Sequence, residues 1–175
     1  MSEIEPKDFK QALGRFASGV TVVTVRGEDG TDHGMTASAF SSVSLDPPLI
    51  LVCIKNGNHT YELVEAAGSF AVNILAREQE ALSNRFAGGI VGADGQWTPW
   101  PEDRDKFADL GIQRAETSGA ALLDGAIAQL DCSLEAIQPG GDHGIFVGRI
   151  HGIRYADADA SAPLIYCRGR YGDFA

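Results

Sequence analysis

Residues 34–54, GMTASAFSSVSLDPPLILVCI, read as sheet and carry almost no charge. With a period of two, Met35, Ala37, Ala39, Val43 and Leu45 fall on one face, and Thr36, Ser38, Ser42 and Ser44 on the other. The first face is expected to be core. The second bears hydroxyls and one aromatic, Phe40, where a solvent face would mix in Lys and Glu. Such an uncharged wall of small polar side chains suits a flat, hydrogen-bonding ligand. A wet sheet edge or a subunit contact would present the same pattern, because Ser and Thr are tolerated on strands.

Upstream, Pro6 as an early helical residue, with Phe9, Leu13 and Phe16 at spacings of four and three, predicts a helix that ends near Gly19. Residues 20–25 form a β-branched strand followed by the turn signal Glu28-Asp29-Gly30. The stretch from Gly34 then returns as its partner until Asp46-Pro47-Pro48 breaks it before a strand over 49–54. Downstream, Thr60 is placed to cap a short helix that Gly68 stops. Residues 70–75 read as a strand and 77–86 as helix. Residues 88–101 read as a loop holding Trp97 and Trp100, suited to a lid, a subunit contact or a tolerated insertion.

Alternation is clearest in the C-terminal third. Ala126, Ala128, Leu130, Cys132, Leu134 and Ala136 are expected to face inward, and Gln129, Asp131, Ser133 and Glu135 outward. The turn at 138–142 joins this strand to a second over 145–155, and 164–167 is a last apolar run. Six or seven strands with short links and a few helices predict a closed or nearly closed antiparallel barrel, in one domain over 1–175.

With 175 residues, 44% of them hydrophobic, the chain has enough apolar material for one core. A net charge of -10 opposes non-specific binding to nucleic acid or to an anionic membrane. The start MSEIEPKDFKQAL lacks the features of a signal peptide, and no segment approaches the roughly 20 apolar residues of a membrane span, so a cytoplasmic location is expected. Cys53, Cys132 and Cys167 show no metal or disulfide spacing and read as buried free thiols. The acceptor-like Asn58-His59-Thr60 is discarded because nothing directs the chain to glycosylation.

Familiar catalytic devices are missing from the sequence. It has no GxGxxG after a strand, no GxxxxGK[ST] and no GxSxG, and His33, His59, His143 and His151 have no HExxH or CxxC companions. No catalytic acid, base, nucleophile or metal ligand is therefore assigned. Hydride transfer between a nicotinamide and a flavin needs none of these: it requires two rings in contact and donors placed where negative charge collects.

Six segments carry a resemblance over most of the chain: FKQALGRFASGVTVVT, HGMTASAFSSVSLDPPLILVCI, SFAVNIL, NRFAGG, GDHGIFVGRI and PLIYCRGRYG. In this order and spacing they resemble the flavin reductase family, small FMN-binding split-barrel proteins that supply reduced flavin to two-component monooxygenases. Residues 90–101 depart from that pattern and carry no shared role.

The resemblance implies a mainly β fold, an antiparallel Greek-key split barrel with short flanking helices. It implies FMN or FAD along His33, Gly34, Met35, Thr36, Ser38 and Ala39, with Ser41 and Ser42 on the same wall. Cys53, Ile54 and Lys55 would meet the pyrimidine edge or ribityl chain, His59 and Thr60 the phosphate, and Arg85 and Phe86 would complete the site. NADH or NADPH would meet His143, Gly144, Ile145 and Phe146, with Tyr171 covering one of the two rings. A homodimer and a flavin-dependent monooxygenase partner are also implied. The rivals are a reductase that keeps its flavin and serves another acceptor, a non-enzymatic flavin- or haem-binding barrel, and, more remotely, a peptide or oligonucleotide binder.

Overall fold

The computed structural model describes residues 4–156 and 161–172. Its first long strand, β1 (Thr21–Arg26), is β-branched almost throughout and buried on both faces. Val23 and Val25 point into one apolar cluster, while Val22, with Val20, points into another. Each such valine contributes about 1.5 to 3 kcal/mol when fully buried. The strand therefore serves as a partition between two cores.

The chain continues through β2 (Asp32–Ala37), β3 (Phe40–Ser44), β4 (Leu49–Lys55), helix α1 (His59–Ala67), β5 (Ser69–Ile74), helix α2 (Glu80–Phe86), β6 (Ala128–Gly140) and β7 (His143–Tyr155). An amino-terminal helix (Pro6–Leu13) precedes β1. The seven strands form one sheet in the order β2-β1-β5-β6-β7-β4-β3, with every pairing antiparallel.

Its two outermost strands, β2 and β3, are consecutive in the chain and joined only by Ser38 and Ala39. Laid flat, seven strands would separate those edges by about 29 Å, from spacings near 4.8 Å. Three Cα steps from Ala37 to Phe40 reach at most about 11 Å. The sheet must therefore roll until its edges meet, and the amide of Cys53 on β4 donates to the carbonyl of Ala39 at 3.0 Å to pin the crossing. Because β2 and β3 share no ladder, the barrel is split. This is the architecture that the resemblance implies.

The rolled sheet encloses Val23, Val25, Ile50, Val52, Ile54, Phe70, Val72, Leu130 and Phe146, with Val64 of α1 closing one end. Outside β1, the second core packs Phe86 of α2 with Leu75, Phe107, Leu123 and Leu164. Between the two lies Asn73, whose amide nitrogen donates to the Val22 carbonyl at 3.2 Å and whose oxygen accepts from the Leu123 amide at 2.8 Å. A buried amide satisfied this way fixes β5 against its neighbours.

Several expectations need correction. The stretch from Gly34 is two strands, since the partner of β1 begins at Asp32 and ends at Ala37. The crossing resets the alternation, so Val43 is 49% and Leu45 92% exposed where an inward face was expected. Asn58, rather than Thr60, caps α1, accepting the Thr60 amide at 2.9 Å, and Gly68 ends the helix in a left-handed conformation as anticipated. Within residues 88–101, Gly89–Val91 and Trp97–Pro99 pair as a small hairpin. The amino-terminal helix stops at Leu13, before Phe16.

The register shift at Leu134/Ala136 leaves Glu135 unpaired and resets the alternation of β6, so Ile137 rather than the expected Ala136 packs on the first core. Asp131 keeps the expected outward register between Leu130 and Cys132, but the segment carrying Thr117 and Ser118 covers it, and it accepts both of their amides. Burial opposes ionisation there, but the hydrogen bonds from Ser118 and Thr117 outweigh it and hold the carboxyl below the usual range. All three thiols are free; Cys132 and Cys167 are buried, and burial pushes Cys132 up to about 12, whereas Cys53 is half-exposed.

Gly148 on β7 faces inward, and a Cβ there would lie 2.6 Å from the ring of fully buried Phe70. Gly148→Ala is expected to destabilise the fold by about 1 to 3 kcal/mol through overpacking. Urea denaturation measures this, and an unchanged midpoint with an unchanged slope would contradict the packing.

Candidate functional site

A cleft of about 650 Å³ opens beside the free edge of β2. Its walls are His33, Gly34 and Met35 of β2, the start of α1 with Asn58, His59 and Thr60, and Phe86 with Ala87 and Gly88 at the end of α2. Residues 100–107 complete the lining, contributing Trp100, Arg104, Lys106 and Phe107.

Close packing draws these elements together. A Cβ on Gly34 would come within 3.0 Å of both the Phe86 ring and the Val23 carbonyl, so the missing side chain is what lets Phe86 lie against β2. The Thr36 hydroxyl donates to the Ser83 carbonyl at 2.6 Å, and the Ser83 hydroxyl shares a 2.8 Å hydrogen bond with that of Tyr171. Arg85 donates to the Ala108 carbonyl at 3.1 Å and sits 4.7 Å from the centre of the Trp100 ring, strapping this part of the lining to α2. Trp100 in turn donates its indole N–H to the Arg104 carbonyl at 2.8 Å.

The electrostatics are uneven. Asp32 is neutralised by Arg114, which grips both carboxylate oxygens, and by Arg26 at 3.5 Å. The Asp105 carboxylate accepts the Phe107 amide at 2.8 Å and shapes the turn. His33 meets His59 edge-on at 4.8 Å, and burial first, then the neighbouring His59, pushes its imidazole below the ordinary value. Burial likewise lowers Lys106, which has no carboxylate within 4 Å among the described residues. The cleft thus combines aromatic and imidazole rings with the cations Arg104 and Lys106 and the carboxylate of Glu102.

The residues expected to form the site do not all converge. His33, Gly34, Met35, His59, Thr60 and Phe86 come together in the cleft, and Arg85 lies just behind its wall. Thr36 and Tyr171 stand beside it with their hydroxyls engaged on Ser83. Ser38 and Ala39 form the crossing, Ser41 and Ser42 lie exposed on β3, and half-exposed Cys53 and exposed Lys55 look out from β4.

His143 and Gly144 line a different depression of about 390 Å³ with Tyr61, on the other side of the first turn of α1. There the His143 ring is 2.8 Å from Asp142, and a Cβ on Gly144 would lie 2.6 Å from Tyr61. Ile145 pairs with Cys53 on the outer face. Ile54 and Phe146 occupy inward register positions and are completely buried, so their side chains belong to the barrel core and only their backbone faces outward.

Sequence reasoning missed residues 102–107, and it gave Trp100 no role. The available signal was compositional: Arg104 and Lys106 bracket an Asp only a few residues beyond a Trp, in a chain otherwise poor in cations.

The sequence matches the family described as "Flavin reductase like domain" over residues 13–175. It is 34% identical over 174 residues to a flavin reductase of Pseudomonas putida, covering 99% of this chain and 93% of that protein. An NADH-dependent flavin reductase of a Rhodococcus species is 38% identical over 171 residues, covering 97% and 86%. Among solved structures, the NADH:FAD oxidoreductase of Streptomyces globisporus C-1027 superposes with a TM-score of 0.84 at 34% identity, covering 100% of this chain and 98% of that one. No helix among the described residues is long and apolar enough to cross a membrane. On the breadth of these matches, the chain belongs to the flavin reductase family of split-barrel oxidoreductases.

Proposed function

We propose that this chain, acting as a single domain, is an NAD(P)H-dependent flavin reductase that passes hydride from NADH or NADPH to FMN or FAD and supplies the reduced flavin to a partner monooxygenase. The cleft carries this reading. Its volume lies within the range of small-molecule sites, and its aromatic flank, open strand edge and cations match the parts of a flavin nucleotide. When bound there, the flavin supplies the ring that accepts hydride.

The protein's share is binding and orientation. The edge of β2 at His33, Gly34 and Met35 has no partner strand on its free side and offers backbone hydrogen-bonding groups to a planar ligand. Phe86 gives that ligand an apolar flank and excludes water. His59 and Thr60 at the start of α1, with Lys106 in the same lining, suit a phosphate, since a helix start and an ammonium both favour negative charge. His143, Gly144 and Ile145 remain the nicotinamide candidates.

A homodimer reconciles the remaining residues. Phe9, Phe16, Val43 and Leu45 are exposed, and Leu51, Cys53, Ile145 and Val147 form a half-exposed apolar face on β4 and β7. A second copy seated on this face would cover apolar surface and bring Ser41, Ser42, Cys53 and Lys55 toward a bound ligand.

The direct test follows nicotinamide absorbance with purified protein, NADH or NADPH, and added FMN or FAD. Oxidation that depends on added flavin is expected. Absence of turnover with every pair would overturn the proposal, and colour retained through dialysis would point instead to a resident flavin serving another acceptor. Lys106→Met is expected to weaken flavin phosphate binding by roughly tenfold, the worth of one charge-assisted hydrogen bond; equal titration curves would remove Lys106 from the site.

The same cleft sets a pH dependence. His33 has a lowered folded-state pKa, so the unfolded chain takes up its proton first as pH falls. Its contribution to stability is complete above about pH 6.5 and is lost below that. Unfolding free energy should drop from about pH 8 to about pH 5.5, with a smaller drop in His33→Gln. Identical drops in the two proteins would contradict the assignment.

A further inference from the structure

A second cavity of about 520 Å³ adjoins the cleft, and the two share Trp100 and Arg104. Its far side is apolar, with Ile90 and Val91, and Asn84 and Arg85 add polar contacts. Trp100 is fixed in the divide by its hydrogen bond to the Arg104 carbonyl, and the guanidinium groups of Arg85 and Arg104 each lie 4.7 Å from its ring centre.

Arg85 donates through Nη1 to the carbonyls of Lys106 and Ala108, which ties it to the wall. Arg104, by contrast, meets only the Trp100 ring: among the described residues its guanidinium makes no hydrogen bond and has no carboxylate partner. In a chain of net charge -10, an unpaired guanidinium held in place between two cavities is a prepared anion site. Glu78, which accepts the Ser161 hydroxyl, and Glu80 also line this cavity, so within it negative charge is favoured only beside the arginines.

We infer that Trp100 and Arg104, with the cavity behind them, form a subsite for the adenosine diphosphate half of a dinucleotide. Arg104 takes the diphosphate, and the base enters the neighbouring cavity between the guanidinium-flanked Trp100 and the apolar Ile90 and Val91. This rests on the reading of the main cleft as a flavin site and extends it. The same moiety occurs in FAD and in the nicotinamide substrate. FMN lacks it.

Trp100 fluorescence, isolated by Trp97→Phe, is titrated with ADP, FMN and FAD, and the KM for NADH is measured with FMN as acceptor. ADP is expected to change the fluorescence, and Arg104→Gln should weaken ADP binding by roughly tenfold while FMN binding moves far less. If Arg104→Gln weakens FAD and spares the KM for NADH, the occupant is FAD; if it raises that KM and spares FAD, the occupant is the nicotinamide substrate. Either result supports the subsite. Equal effects of Arg104→Gln on FMN, FAD, ADP and NADH, or none on any, overturn it, as does the same pattern in Trp100→Ala. Loss of FMN binding in the parent protein with ADP binding intact would sink the flavin reading and leave the subsite standing.

Discussion

The passage of the chain from Ala37 to Phe40 governs the rest of the molecule. Two small residues, Ser38 and Ala39, carry the backbone from one edge of a seven-stranded sheet to the other. A flat sheet cannot satisfy that connection, so it rolls and encloses the first core. The closure lacks a ladder between β2 and β3, which leaves the edge of β2 open. That open edge is the wall on which the cleft is built, so the same constraint that closes the barrel also exposes a line of backbone beside a cavity.

A second constraint keeps the cleft in shape. β1 is buried on both sides, and its outer face holds α2 through the core that includes Phe86 and Phe107. Phe86 reaches the cleft because Gly34 has no side chain, and Arg85, one residue earlier, ties down the segment that completes the lining. Adjacent residues of one short helix thus provide the apolar flank and the strap. Two of the three carboxylates that line the cleft are committed elsewhere, Asp32 on Arg114 and Asp105 on a backbone amide, with Glu102 the third. Positive charge at Lys106 and Arg104 is not so committed.

Much of this was legible in the sequence. The β-branched run at 20–25, the Pro-Pro break, the long hairpin ending at Tyr155 and the Gly68 stop are local signals, and each corresponds to an observed element. The barrel crossing was not legible, because Ser38 and Ala39 fit a strand as well as a corner, and only the strand order shows that the two halves of 34–45 lie at opposite edges. Thr60 was mistaken for a cap because Asn58 stands two residues earlier with an equally suitable side chain. The family resemblance indicated the cleft through His33, Gly34, Met35, His59, Thr60 and Phe86. It pointed outside the cleft at Ile54 and Phe146, whose inward register is a tertiary property, and it passed over residues 100–107, whose place in the wall depends on the strap from Arg85.

A crystal structure of the protein grown with saturating FMN tests the central claim most directly. The account predicts electron density for the ring along His33, Gly34 and Met35 with Phe86 at its flank, and for the phosphate near His59, Thr60 and Lys106. Density confined to the outer face around Cys53 and His143, or a cleft holding only solvent at that concentration, would contradict it.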